Sequence, residues 1–311
     1  MSDTASKPGS DRPSPLVAVG MPVYNGELWL AAAIESILAQ SFVDFELVIC
    51  DNASTDGTRA ICEDFAARDA RVRYSRNEAN IGLFRNYNRV FELTNSRYFK
   101  WASSNDVCGE RLLETCVTAL ENAPDAVLAY PKTAIFAEQI ETARDYEDST
   151  KLDQETPSER VRALLAKPGL NNVINGVLRS DVLRKTALNR IFVGSDITLV
   201  AELAMHGKFI QVPERLFYRR MTETASSVLV PEAERSEYFA HEPHNVFALY
   251  HWKRELGFFA ALARVHMAFA ERRKIAWHLI SRLVRNRGAL LEELFSAFRL
   301  WGSRSSQSEG Y

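Results

Sequence analysis

Two stretches decide how this chain folds: LVAVGMPVYN at Leu16–Asn25 and FELVICDNASTDG at Phe45–Gly57. Each opens with a largely apolar run and ends abruptly in polar, turn-forming residues. Apolar runs bounded by turn signals suit strands covered on both faces, as in a parallel sheet flanked by helices. Between the two, Leu28–Leu38 carries apolar residues at helical spacing, which completes a β-α-β unit.

The alternation continues outward from there. The spacing predicts a helix over Thr58–Ala67, a strand at Val72–Ser75, a helix around Leu83–Leu93, a strand at Tyr98–Ala102, a helix over Glu110–Leu120 and a strand at Val127–Tyr130. Such alternation of short apolar runs with amphipathic stretches predicts an α/β fold with a mainly parallel sheet. From Gln139 to Glu159 the residues become charged and polar, so a mobile loop or insertion is expected, either a lid over a site or plain surface. A strand at Val173–Leu178, a helix over Ile197–Met205 capped at Ser195 or Asp196, and a strand pair over Phe209–Tyr218 broken at Pro213 and Glu214 follow. From about Ser236 to Trp301 the pattern is almost wholly helical. The expected division is a disordered Ser/Pro/Asp-rich leader over 1–15, an α/β domain over 16–230 and a helical region over 231–311.

With 311 residues, 46% of them hydrophobic, the chain can bury a large core. A net charge of −2 excludes a global field that would draw it to nucleic acid, so any such attraction must be local. Cys50, Cys62, Cys108 and Cys116 form no C-x-x-C pair and no zinc spacing, and the N-terminus lacks an apolar signal region, from which a reduced, cytoplasmic setting follows. No apolar run approaches the ~18 residues of a membrane span. The histidines include His241-x-x-His244, with no acidic or cysteine partner at metal spacing, and read as surface or packing residues.

In a parallel sheet the loops at the carboxyl ends of strands line the ligand crevice, so the segments ending in Asn25 and Gly57 meet on one edge. A carboxylate there, Asp51, can accept hydrogen bonds from a base N–H or ribose hydroxyls. Equally, DNASTDG can be a turn whose side chains cap the next helix. The missing G-x-G-x-x-G after the first strand argues against a dinucleotide enzyme.

Four elements in order resemble family 2 glycosyltransferases, over Leu16 to about Ser227: Pro22-Val23-Tyr24-Asn25, Asp51-Asn52-Ala53-Ser54-Thr55-Asp56-Gly57, Asn80-Ile81-Gly82, and Ser103-Ser104-Asn105-Asp106 where the family carries an acidic metal motif. The resemblance implies a GT-A, Rossmann-like sheet with flanking helices and a C-terminal helical appendage. It also implies an inverting enzyme that moves a sugar from a nucleotide diphosphate donor, UDP- or dTDP-linked, to a glycan, lipid-linked or small-molecule acceptor, in polysaccharide or natural-product assembly. By position, Pro22, Tyr24 and Asp51 would meet the nucleoside, Asn25 would belong to the donor site, Asn80 and Gly82 would lie near the nucleotide, and Arg85 would meet donor phosphate. Ser104 and Asn105 would line the donor site, and Asp106 would hold Mg²⁺ or Mn²⁺ on the diphosphate. Asp196 matches the family's catalytic base, although Asp is also among the best helix caps.

The chain departs from the family twice. Only Asp106 is acidic where relatives show two or three carboxylates, and Thr222 stands where relatives often carry His after Arg219-Arg220. Arg219 and Arg220 could supply the missing positive charge, since guanidinium forks match phosphate oxygens; a solvent-exposed strand edge is the plainer reading. The alternative these departures raise is a nucleotide-sugar-binding pseudoenzyme or partner subunit. Asn175-Gly176-Val177-Leu178-Arg179 either faces the sugar or acceptor or is a buried strand with a bulge.

Between His251 and Arg304 eleven Lys/Arg stand against four acids, interleaved with aromatics such as Phe269, Trp277 and Phe295. Basic helices with an apolar face can lie on anionic lipid, which would place the protein peripherally on the inner membrane face. The plainer reading is an appendage packed with its aromatics inward and its arginines outward.

Overall fold

The computed structural model describes residues 14–147, 151–166, 169–222 and 249–305, with 297–305 known by backbone alone. Most of the expected leader, the Glu223–Ser227 motif end, and His241 and His244 lie outside the described residues.

The strands are β1 (Val17–Val23), β2 (Phe45–Asp51), β3 (Val72–Arg76), β4 (Tyr98–Trp101), β5 (Val107–Cys108), β6 (Ala126–Phe136), β7 (Arg144–Tyr146), β8 (Val177–Arg179) and β9 (Lys208–Arg220). They form one sheet in the order β3-β2-β1-β4-β8-β6-β9-β5, with β7 on β6. The half containing β3, β2, β1 and β4 is parallel, as the sequence predicts. In the other half β8 runs antiparallel to both β4 and β6, and β5 antiparallel to β9, so the sheet is mixed. All seven residues of β1 are buried, which is why it reads as an unbroken apolar run. Pro22 fits within it because pairing with β4 ends at Gly20–Trp101, and the missing N–H falls beyond that ladder.

The helices are α1 (Glu27–Leu38), α2 (Thr58–Arg68), α3 (Leu83–Glu92), α4 (Leu112–Glu121), α5 (Pro157–Ala166), α6 (Ser180–Leu183), α7 (Ser195–His206), α8 (Tyr250–Arg264), α9 (Phe269–Arg285) and α10 (Arg287–Ser305). They cover both faces of the sheet and bury two cores. One, around Ile34, Leu47, Leu113 and Phe217, lies under α1, α2 and α4. The other joins Phe99 and Trp101 to Leu199 and Leu203 of α7, and to Phe258, Ile275 and Leu279 of α8 and α9. The C-terminal helices therefore share a core with the sheet.

Four sequence expectations need correction. The polar stretch from Gln139 to Glu159 is not all loop: β7 pairs with β6, Leu152 is wholly buried with its carbonyl on the Phe209 N–H, and α5 begins at Pro157. The strand expected over Val173–Leu178 starts only at Val177, because Asn172–Asn175 forms a 3₁₀ turn. The expected strand pair is the single strand β9, in which Pro213 and Glu214 bulge between the Val212–Pro131 and Arg215–Lys132 pairings. Finally, the cap of α7 is neither Ser195 nor Asp196 but Gly194, in the left-handed region at φ 84°.

The C-terminal helices follow the inward-aromatic reading only in part: Phe258 is buried in the core and Arg273, Arg285 and Arg287 are exposed, but other residues are placed the opposite way. Arg264 makes a bidentate pair with buried Glu202 of α7 at 2.8 and 2.9 Å, and Arg282 binds buried Glu255 at 2.9 and 3.0 Å. Arg272 donates to the Leu262 and Val265 carbonyls. These arginines turn inward, while Phe269 and Trp277 face solvent.

Candidate functional site

The loops after β1 and β2 are laced together. The Asn25 N–H donates to Ser54 Oγ at 2.9 Å, the Gly26 N–H to Thr58 Oγ1 at 2.8 Å, and Asn25 Oδ1 accepts from the Thr55 N–H at 2.8 Å. In return the Gly57 N–H donates to Glu27 Oε2 at 2.6 Å. Asn25 thus fixes the shape of the loop edge, and Tyr24 beside it is left exposed. The DNASTDG turn caps α2 through Asp56, whose Oδ1 accepts the Thr58 N–H at 3.0 Å, while its Oδ2 takes the Glu27 N–H.

Asp51, the last residue of β2, is wholly buried. Burial alone would raise its pKa. The Ser54 contacts, the Tyr74 hydroxyl at 2.8 Å and the Arg76 guanidinium outweigh that and hold it below the usual carboxylate value. Behind it, four asparagines brace the third loop. Asn77 donates to the side-chain oxygens of Asn52 and Asn86 at 3.0 Å, and Asn52 donates to Asn80 at 2.7 Å. Asn80 also accepts the Gly82 N–H at 2.8 Å, so it holds its own loop, which opens α3 at Gly82. Arg85, one turn into α3, is exposed.

The fourth loop follows β4. Ser103 donates its hydroxyl to Asn105 Oδ1, Ser104 lies against Gly26, and Asp106 Oδ1 accepts the Arg220 N–H at 2.8 Å. The Asp106 carboxyl is desolvated strongly enough to push its pKa up to about 6, although the residue itself is only partly buried; Arg219, Lys100 and Arg220 pull the other way. Lys100 is wholly buried beneath this loop, its ammonium held by the Trp101 and Asn175 carbonyls.

Arg219 and Arg220 part company here. The Arg220 guanidinium lies between Trp29, at 3.7 Å, and Phe136, at 4.4 Å, and donates to the carbonyls of Asn105, Ala137 and Glu138. Enclosed and saturated in this way, it is no phosphate ligand: it ties the fourth loop to β6 and β9. Arg219 instead donates to the Leu170 carbonyl at 2.8 Å and to Asn172 Oδ1 at 2.7 Å.

Asp196 sits in the first turn of α7, where the helix dipole favours a negative charge. With Gly194 as the cap, its carboxylate is not spent on the helix end; Oδ2 accepts from Asn171 Nδ2 at 2.7 Å. Asn171 itself takes the left-handed conformation at φ 56°, which Asn tolerates better than most residues. A run of contacts therefore joins Asp106 to Arg220 and its neighbour Arg219, then Asn172 and its neighbour Asn171, then Asp196. Gly176, next to this run, is a close-approach position: a Cβ there would overlap the Ala129 carbonyl and sit 2.8 Å from Tyr130 Cβ.

Asn171, Asn172, Tyr74, Arg76 and Lys100 escape the sequence reading. The available signal was the Gly169-Leu170-Asn171-Asn172 turn; nothing local distinguishes Lys100 or Arg76. Glu202, on α7 after Asp196, is committed to Arg264 and is structural. Among the described residues no three His, Cys, Asp or Glu side chains gather as a metal cluster.

Residues 18–186 match the family model described as Glycosyl transferase family 2, more than half of the chain. The chain belongs to this family. As a family 2 member it is 39% identical over 108 residues to the putative glycosyltransferase EpsE of Bacillus subtilis, covering 34% of this chain and 39% of that relative. It is 30% identical over 105 residues to the UDP-Glc:alpha-D-GlcNAc-diphosphoundecaprenol beta-1,3-glucosyltransferase WfgD of Escherichia coli, covering 34% and 41%. The matched stretch thus spans about two fifths of these relatives. In fold the chain is similar to S. aureus TarS 1-349 in complex with UDP, with a TM-score of 0.64 at 13% identity over 86% of this chain and 71% of that one.

Proposed function

We propose that the chain transfers a sugar from a UDP- or dTDP-linked donor to a hydroxyl of a glycan, lipid-linked or small-molecule acceptor, with inversion at the anomeric carbon. The observation that carries this reading is the run of contacts between Asp106 and Asp196, on the same sheet edge where Asp51 ends β2. The printed name of WfgD, which gives UDP-Glc as its donor, supports a UDP-linked donor here. Residues 16–230 form the catalytic domain in this account and the helical region buttresses it, in a cytoplasmic setting with no nucleic-acid partner.

In the reaction, Asp196 takes the proton of the acceptor hydroxyl as that oxygen attacks the anomeric carbon. The bond from that carbon to the diphosphate oxygen breaks on the opposite face, and its electron pair leaves with the nucleoside diphosphate. Asn171 holds the Asp196 carboxylate by its Oδ2, leaving Oδ1 for the proton. Tyr24, Asp51 and Arg76 receive the nucleoside, and Arg85 and Arg219 face the phosphates.

Mg²⁺ or Mn²⁺ fits at Asp106. Oδ1 is engaged by the Arg220 N–H, while Oδ2 has no protein donor among the described residues, and burial, which outweighs the pull of Arg219, Lys100 and Arg220, makes the bare charge costly. Asp106 would be the charged ligand, with the neutral oxygens of Ser103, Ser104 and Asn105 around it. A cation bound there supplies positive charge to the leaving diphosphate.

Thermal shifts with UDP, dTDP and GDP, with and without Mn²⁺, test the reading. A diphosphate at about a hundred times its Kd should stabilise the protein by about 2.7 kcal/mol. No shift with any nucleotide overturns it, and shifts without any sugar transfer or donor hydrolysis make the chain a nucleotide-sugar binder instead.

A further inference from the structure

The outer surface of α9 carries an apolar strip that no other described element covers, and α10 after it exposes further large apolar side chains. Phe269, Trp277 and Phe295 are 77%, 68% and 64% exposed, and Ile280, Val284 and Leu291 accompany them. At about 100° per residue, Phe269, Ile280, Val284 and Trp277 fall within roughly 80° of the α9 circumference, so this is one face and not a scatter. The opposite face of α9 is filled by Ile275 and Leu279, and by Arg272 and Arg282 with their inward partners.

The charges around the strip decide what it meets. Arg273 lies within it, Lys274 and Arg285 border it, and Arg287 follows at the start of α10; all four are exposed. Arg273, Arg285 and Arg287 make no ion pair among the described residues, whereas Glu292 is the exposed acid nearby. Exposed aromatics flanked by unpaired cations match the boundary between anionic lipid headgroups and acyl chains. A water-facing surface would gain nothing from this arrangement.

We infer that this face docks the protein on an anionic lipid surface. Aromatic and aliphatic side chains enter the headgroup boundary, and Arg273, Arg285 and Arg287 meet lipid phosphates, their stems lying along the apolar strip. The inference is independent of the reaction proposed above.

The test is co-sedimentation of the full chain with phosphatidylcholine vesicles, plain or containing about 30% phosphatidylglycerol. The wild type should bind the anionic vesicles and largely ignore the neutral ones, and Trp277 fluorescence should shift to the blue. Combined Phe269→Ser, Trp277→Ser and Phe295→Ser should weaken binding about tenfold or more while the thermal midpoint is kept, since all three are exposed. Arg273→Glu with Arg287→Glu should remove the preference for anionic lipid. Failure of the wild type to bind at low salt, or undiminished binding of the apolar variant, overturns the inference. A solution mass of two chains that Trp277→Ser halves, without vesicle binding, overturns it too and assigns the face to a second copy.

Discussion

Asn171 Nδ2 donates a 2.7 Å hydrogen bond to Asp196 Oδ2, joining the turn before β8 to the first turn of α7. The bond leaves the second carboxylate oxygen available, and Asn172 beside it receives Arg219, whose neighbour Arg220 anchors Asp106. Two loops distant in sequence are thus tied together by a few polar contacts. The transfer proposed above would use that constraint, because its base and leaving group act on opposite faces of one carbon.

Asn171→Ala removes the donor without touching the charge. The expected result is a fall in kcat of up to about a hundredfold with the donor KM nearly unchanged, since the carboxylate is present but loosely aimed. Steady-state kinetics at varied donor concentration check it, and Asn171→Gln should restore part of the loss.

Arg220→Ala should cost stability before it costs chemistry. The variant loses stacking on Trp29 and Phe136 and leaves three carbonyls without a donor, an expected loss of about 2–4 kcal/mol by chemical denaturation. Arg220→Lys should recover little, because an ammonium cannot reach all three carbonyls from between two rings.

Gly176→Ala should be worse than an ordinary strand substitution. Its Cβ meets backbone and the Tyr130 Cβ, neither of which can swing aside, so about 1–3 kcal/mol of destabilisation is expected in an unfolding titration.

The pH dependence follows from Asp51. Its folded pKa is held below its unfolded value, so the stability it contributes is present above the unfolded value, near 3.8, and is lost as pH falls through the folded value. Asp51→Asn should therefore unfold at lower temperature than the wild type at neutral pH, and the gap should narrow as the pH is taken below about 4. Melting curves across that range for both proteins check the sign.

Much of this was readable from sequence where one residue's surroundings are local. The buried runs of β1 and β2 and the polar loops that end them announce the parallel half of the sheet, because burial on both faces leaves no room for alternation. β7 and α5 were hidden, since Arg144–Tyr146 is an edge strand with polar, largely exposed side chains and α5 starts at a proline inside a charged stretch. Among the candidate site residues, Asp51 stands out from the loop that ends β2, whereas Asp106 and Asp196 are singled out through the family resemblance. The fate of Arg220 could not be read from either, because Trp29 and Phe136 come from α1 and β6 and meet it only in three dimensions. The same holds for the outward aromatics of α9: helical periodicity gives two faces, and Glu255 of α8, which receives Arg282, sets which of them turns inward.

The most direct test of the account is Asp196→Asn, assayed for sugar transfer and for nucleotide binding in the same preparation. Transfer should disappear while the thermal shift with UDP or dTDP keeps its wild-type size, since an amide in the same place cannot take the acceptor's proton. Transfer at the wild-type rate in that variant would contradict the account.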